Sequence, residues 1–177
     1  MPPQSEIEPS DWVKRWSRLI PPAGTVVDLA CGAGRHSRWL ASQGYRVLAV
    51  DREEAIVAPL RSCAGVEVEV ADLETGNWSL AGRRFAGIVV TNYLHRPLFA
   101  HLLESLADRG VLIYETFAAG NEKFGKPSNP DFLLADGELL DRVRGRLRVV
   151  AYEAVQSEQP RPAMVQRLCA VAGPPVP

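Results

Sequence analysis

The chain has 177 residues, 46% of them apolar and 23% charged, with a formal net charge of -1. That length suits one domain with a buried core, and the composition excludes a fibrous or disordered chain. The near-neutral charge excludes a chain-wide basic footprint for nucleic acid, and no apolar run reaches the roughly 18 residues that cross a bilayer.

Residues 1–10 (MPPQSEIEPS) and the tail from 173 to 177 are proline-rich and are expected to be loose, leaving one domain over 11–172. The acidic, proline-rich start does not read as a signal peptide. The three cysteines (Cys31, Cys63, Cys169) are odd in number and lack metal-like spacing. A cytoplasmic protein without a metal is therefore expected.

DWVKRWSRLI places Trp12, Val13, Trp16, Leu19 and Ile20 on one helical face, with Ser10 or Asp11 as N-cap and the proline pair 21–22 as its end. TVVDLA and RVLAVD read as strands around a helix, RHSRWLASQG, that closes on Gly44. EEAIVAPLRS is a second helix interrupted at Pro59. VEVEVAD alternates and reads as a strand near an edge, whereas FAGIVVTN is apolar throughout and central. RPLFAHLLESLADRG is a helix with Pro97 at N1 and Gly110 as its stop. GVLIYET is a fifth strand, followed by a long loop, FAAGNEKFGKPSNPDFLLAD, and a short helix, GELLDRVRG. LRVVAYEAVQ and AMVQRLCAVA are separated only by SEQPRP, too short for a crossover, so they must pair antiparallel. The expected fold class is α/β: a doubly wound, Rossmann-like, mostly parallel sheet of seven strands with an antiparallel C-terminal hairpin.

In such a sheet, ligands lie beyond the carboxyl ends of the strands, which directs attention to the turn in TVVDLACGAGRHSRWL. Gly32 and Gly34 let the backbone approach a ligand, and Asp51, closing the second strand, can accept both hydroxyls of a ribose. That geometry also serves NAD, but the third glycine or alanine of the dinucleotide fingerprint is here Ser37.

VVDLACGAGRHS, then VLAVD, then VADLE resembles the class I S-adenosylmethionine-dependent methyltransferases over residues 25–172. The resemblance implies S-adenosylmethionine as cofactor. Asp28 and the Cys31–Gly34 backbone would hold its methionine end, Asp51 its ribose, and Asp72, Leu73 and Arg52 its adenine. Arg35 would meet the carboxylate, and Thr91 completes the implied set. Against this, Asp28 could cap the next helix, Arg35 could be a solvated first-turn side chain, and Asp72 could cap a turn.

The acceptor is expected above TNYLHRP, at the end of the fourth strand. Tyr93, His95 and Arg96 lie there ahead of a helix and are the candidate catalytic residues, His95 as proton acceptor. His95 or Arg96 could instead only cap that helix. His36 and His101 read as structural or surface residues. No Asn/Asp-Pro-Pro-aromatic motif for base amines occurs at this position. The long loop, with Phe117, Phe124 and Phe132 as anchors and Asn121, Lys126 and Asn129 as polar groups, suits a lid. The loop with GELL, and CGAGRHS, resemble the tellurite-resistance branch, which implies small thiols or chalcogen oxyanions as acceptors. Arg142, Arg144, Arg146 and Arg148 form a local run that reads as a solvated face. A small-molecule partner is therefore expected, without nucleic acid or membrane, for a monomer or homodimer. A transfer-RNA methyltransferase with a partner subunit, a non-catalytic cofactor-binding subunit and a nucleotide-dependent oxidoreductase stand as alternatives.

Overall fold

In the computed structural model, which describes residues 8–173, Ser10 caps the first helix, its side-chain oxygen accepting the Trp12 N–H at 3.1 Å. Helix α1 (Asp11–Trp16) tightens into a 3₁₀ turn over Ser17–Leu19 before the proline pair. The expected looseness over 1–10 and 173–177 falls mostly on residues 1–7 and 174–177, outside the described residues. The Ser10 N–H, within that span, donates to buried His36 Nε2 at 3.1 Å.

Strands β1 (Thr25–Leu29) and β2 (Arg46–Asp51) flank α2 (Arg35–Ser42). The segment around Pro59 yields a single turn, α3 (Glu54–Val57), and then a 3₁₀ stretch, Ala58–Ser62, because proline cannot supply the interior N–H. Strands β3 (Val66–Val70) and β4 (Phe85–Thr91) follow. Helix α4 (Leu98–Glu104) is shorter than its pattern predicts. The Phe85 N–H captures the Ser105 carbonyl at 2.8 Å, and Leu106 already pairs with Phe85, so SLADRG starts β5 (Leu106–Phe117) and does not end the helix. Helix α5 (Glu138–Val143) and strands β6 (Arg148–Ser157) and β7 (Ala163–Val171) complete the order.

The seven strands run β3-β2-β1-β4-β5-β7-β6, parallel except for β7, which pairs antiparallel with both β5 and β6. The terminal hairpin thus inserts its second strand beside β5 and leaves β6 at one edge, with alternating β3 at the other. Every residue of β4 is buried, as its unbroken apolar run requires at the sheet centre. Alternation sends Leu29, Leu48, Ile88 and Leu112 to one face, beneath α4 and α5. It sends Val26, Val47, Val89 and Ile113 to the other, where Trp12 and Val13 of α1 pack with Leu40 of α2. Trp12 Nε1 donates to the Leu168 carbonyl at 3.2 Å, joining α1 to β7. Strand order reverses between β1 and β4, which places the crevice above Leu29 and Thr91. Among the described residues no helix is long and apolar enough to cross a membrane.

Candidate active site

The turn after β1 is built from three residues in the left-handed region: Ala30 (φ 52°), Gly32 (φ 54°) and Gly34 (φ 76°). The Cys31 N–H donates to the Val50 carbonyl at 3.0 Å, and the Gly32 N–H to Asp51 Oδ2 at 2.8 Å, so the turn is strapped to the end of β2. The two glycines differ. A Cβ on Gly32 would enter open space, whereas one on Gly34 would lie 2.5 Å from Leu60 Cδ1. Gly34 is therefore a packing glycine, and Gly32 leaves a backbone face open to a ligand.

Behind the turn, Asp28 is buried and its Oδ2 accepts from Ser37 Oγ at 2.6 Å. Burial pushes its carboxyl up to about 6, even though the Ser37 hydrogen bonds oppose the shift. Buried His36 accepts the Ser10 N–H at Nε2, which leaves its proton on Nδ1, 3.4 Å from Thr91 Oγ1. Burial, then the charge of Arg35, lowers the imidazole to about 3, so His36 is a neutral connector between the N-terminal segment, α2 and β4. Cys31 is buried too, and burial pushes its thiol far up, which removes it as a nucleophile.

Two cavities open along the carboxyl ends of the strands. The smaller, about 500 Å³, is lined by Ala30, Asp51, Arg52, Asp72, Leu73 and Tyr93, with Pro127 and Phe132 from the long loop. The larger, about 1100 Å³, lies on the α1 face and takes its walls from residues 8–12, Lys14, Arg15, Arg35, Glu115, Glu153, Arg167 and the β6–β7 turn. Asn92 and Phe117 line both. The structure therefore brings Asp51, Arg52, Asp72, Leu73 and Tyr93 to one cavity and Arg35 to the other. Asp28, Cys31, Gly32, Gly34, Thr91, His95 and Arg96 line neither.

Tyr93 Oη donates to Glu74 Oε1 at 3.3 Å; burial, then the Glu74 charge, raises its phenol above the ordinary range, so it stays protonated. His95 is half-buried, and its backbone carbonyl accepts the Leu98 N–H at 3.0 Å at the helix start. Arg96 grips the long loop. Its Nε and Nη2 donate to Glu138 at 2.8 and 2.9 Å, while Nη1 and Nη2 reach the carbonyls of Asp131 and Leu133 at 2.7 and 2.8 Å. Burial alone would raise the Glu138 carboxyl; hydrogen bonds from Arg96, Arg142 and the Ala135 N–H outweigh it and hold it at about 2. The residue between the two gripped carbonyls is Phe132, 52% exposed, at the rim of the smaller cavity. On the loop's other leg, Asn121 Nδ2 donates to the Pro127 carbonyl at 2.9 Å and its Oδ1 accepts the Met164 N–H at 3.1 Å.

The sequence patterns did not single out Glu115 and Arg167. Glu115 sits near the end of β5, only 8% exposed, paired through Oε2 with Arg167 Nε of β7. A charged residue between Tyr114 and Thr116, at the end of the apolar run Val111–Tyr114, was the available signal.

Residues 26–110 match the family model described as a methyltransferase domain. No curated protein matches the chain. Among solved structures, TehB from Haemophilus influenzae is similar at a TM-score of 0.76 and 20% identity, over 92% of this chain and 62% of TehB. The chain thus spans less than two thirds of that relative's length. An S-adenosylmethionine dependent methyltransferase from Mesorhizobium loti aligns at a TM-score of 0.69 and 18% identity, over 89% of this chain and 96% of its own. The glycopeptide N-methyltransferase MtfA, solved with S-adenosyl-L-homocysteine, aligns at 0.66 and 18% identity, over 96% and 89% respectively.

Proposed function

We propose that the chain is a class I S-adenosylmethionine-dependent methyltransferase that transfers a methyl group to a small acceptor admitted through the larger cavity, a reading supported by the methyltransferase-domain match over residues 26–110 and by the fold shared with solved methyltransferases. The observation that carries this reading is the meeting of the two cavities at Asn92 and Phe117. One cavity has the donors and acceptors for an adenosyl group, and the other is wide enough for a second molecule.

The residues present fit S-adenosylmethionine. Asp51 closes β2 as a half-buried carboxylate beside the open backbone of Gly32, suited to vicinal hydroxyls. Asp72 and buried Leu73 lie on the same cavity and supply an acceptor and an apolar wall for a purine. Arg52 flanks that wall, and Arg35, at the mouth of the larger cavity, would meet a carboxylate. Asp28, Thr91, Cys31 and Gly34 would act from behind, by holding the turn. When bound, the sulfonium supplies a methyl carbon already activated for in-line displacement, so alignment and exclusion of water are what the protein must add. Tyr93 bounds the smaller cavity as a neutral phenol. Arg96 is a positioning residue that fixes Phe132 at the rim, and His95 supports the start of α4.

We further propose that the acceptor is a thiol or a chalcogen oxyanion, a reading supported by the resemblance of CGAGRHS and of the long loop with GELL to the tellurite-resistance branch, and by the polar walls of the larger cavity. Arg142 and Arg144 are paired with Glu138 and Asp141, which leaves that run poorly suited to transfer RNA. Three free thiols suit a cytoplasmic setting. The test is formation of S-adenosylhomocysteine by the purified protein with 2-mercaptoethanol, selenite or tellurite. Turnover on one of them supports the reading. Turnover only on RNA, or none on any acceptor despite cofactor binding, contradicts it.

A further inference from the structure

Alternation along β5 sends Thr116 to the smaller cavity and Glu115 to the larger. The backbone of Glu115 touches the shared wall, its carbonyl accepting the Asn92 N–H at 2.9 Å. Its carboxylate is held from one side only. Oε2 pairs with Arg167 Nε, and Oε1 has no hydrogen-bond partner among the described residues. Arg167 is itself fully engaged, with Nη1 3.3 Å from Glu153 Oε2 and Nη2 3.2 Å from Ser157 Oγ. One guanidinium thus serves two carboxylates, and the cluster is net negative.

The remaining cations on this cavity have partners of their own, in contacts that do not include Glu115. Lys14 of α1 is 3.4 Å from Asp11, Arg15 lies over the Trp16 ring, and Arg161 of the β6–β7 turn donates to the Lys126 carbonyl at 3.1 Å. Arg35 of α2 donates to the Glu8 carbonyl at 3.3 Å. An oxyanion placed against Glu115 would meet like charge in a partly desolvated wall, whereas a nucleophile bearing a proton would meet a ready acceptor.

Resting on the methyltransferase reading above, we propose that Glu115 accepts the proton of the acceptor's nucleophilic atom, which makes the acceptor a small thiol and not an oxyanion. The S–H bond breaks and its proton moves to Glu115 Oε1. The acceptor sulfur's electron pair forms the new bond to the methyl carbon, and the departing thioether sulfur keeps the pair of the bond that breaks. Glu115 then returns the proton to solvent. A thiol, with an ordinary pKa of about 8.5, gives up its proton to a carboxylate more readily than an ammonium at about 10.4, which favours sulfur over nitrogen. Arg167 is the positioning residue that holds Oε2 and leaves Oε1 toward the cavity.

The test compares wild type with Glu115→Gln and Glu115→Asp, using 2-mercaptoethanol, its amine counterpart ethanolamine, and selenite. Binding of S-adenosylhomocysteine by calorimetry should agree within about twofold across the three proteins, since Glu115 lies off the smaller cavity and Arg35, which would meet the carboxylate, is unchanged. Binding of 2-mercaptoethanol to the complex with S-adenosylhomocysteine, where no turnover occurs, should weaken at least about tenfold in Glu115→Gln. Thiol turnover near neutral pH should fall about 100-fold or more and recover as pH approaches the thiol's own pKa, where thiolate arrives preformed. Wild-type kcat/KM should stay level over the two pH units below that value. This measurement does not depend on how the variants fold, because a site with no base would follow the thiolate fraction, about tenfold per unit. Turnover of selenite or ethanolamine in preference to the thiol, no thiol binding by wild type, or a Glu115→Gln profile matching wild type each overturns the proposal. Failure of wild type to bind S-adenosylhomocysteine at all overturns the methyltransferase reading beneath it.

Discussion

The Gly32 N–H donates to Asp51 Oδ2 at 2.8 Å, while Asp51 Oδ1 accepts the Glu53 N–H at 3.1 Å. One side chain therefore ties the turn after β1 to the turn after β2, the two backbones that border the smaller cavity. Its carboxylate is oriented before any ligand arrives, which reduces the ordering cost of binding.

The two glycines of the turn should separate stability from binding. Gly32→Ala adds a methyl group to open space at φ 54° and should cost about 1 kcal/mol of stability. It should nevertheless weaken S-adenosylhomocysteine by tenfold or more, because the methyl group points where the ligand must approach. Gly34→Ala adds a clash with Leu60 to the same backbone strain and should be the less stable of the two. Denaturant melts and calorimetry on both variants check the order.

Asp28 and His36 should oppose each other in the pH dependence of stability. Asp28 is raised from 3.8 to about 6 in the folded protein, so between these values the native state holds a proton the unfolded chain has lost, and stability falls as pH rises. His36 is lowered from 6.5 to about 3, so the unfolded chain holds the extra proton and stability rises with pH over the same window. The two slopes cancel between about pH 4 and 6. Asp28→Asn should expose a rising slope of about 1.4 kcal/mol per unit there, and His36→Gln a falling one. Urea melts at several pH values read both slopes directly.

The grip of Arg96 on Glu138 should be worth more than an exposed ion pair, because Glu138 has a side-chain exposure of only 10% and Arg96 also holds two carbonyls. Arg96→Ala should cost about 2 kcal/mol and speed hydrogen exchange at 131–135, leaving α1 and β3 unchanged. Glu138 is held down to about 2, so its contribution is present above about pH 4.5 and is lost as pH falls toward 2. Glu138→Gln should therefore flatten the acid limb of the stability curve.

The central place of β4, the edge position of β3 and the antiparallel hairpin were readable from sequence because each signal was local: an unbroken apolar run, alternation and a six-residue link; the insertion of β7 beside β5 was not. The end of α4 was not readable, since the Ser105 carbonyl is captured by Phe85, twenty positions earlier in the chain. The same distinction divides the site. The glycine turn and the strand ends pointed to Gly32 and Asp51, the family resemblance added Asp72, and the structure brings Asp51 and Asp72 to one cavity. The pair of Glu115 with Arg167 joins residues 52 positions apart, through a register that only the inserted β7 creates. Arg96 read as a candidate catalytic residue or a helix cap, because its partner Glu138 lies 42 positions on.

Calorimetric titration of wild type and Asp51→Ala with S-adenosylmethionine, S-adenosylhomocysteine and NAD tests the cofactor assignment most directly. The first two should bind wild type with dissociation constants on the order of micromolar and lose about 30-fold or more in the variant, with no heat from NAD. Binding of NAD without S-adenosylmethionine, or equal affinity in Asp51→Ala, would contradict it.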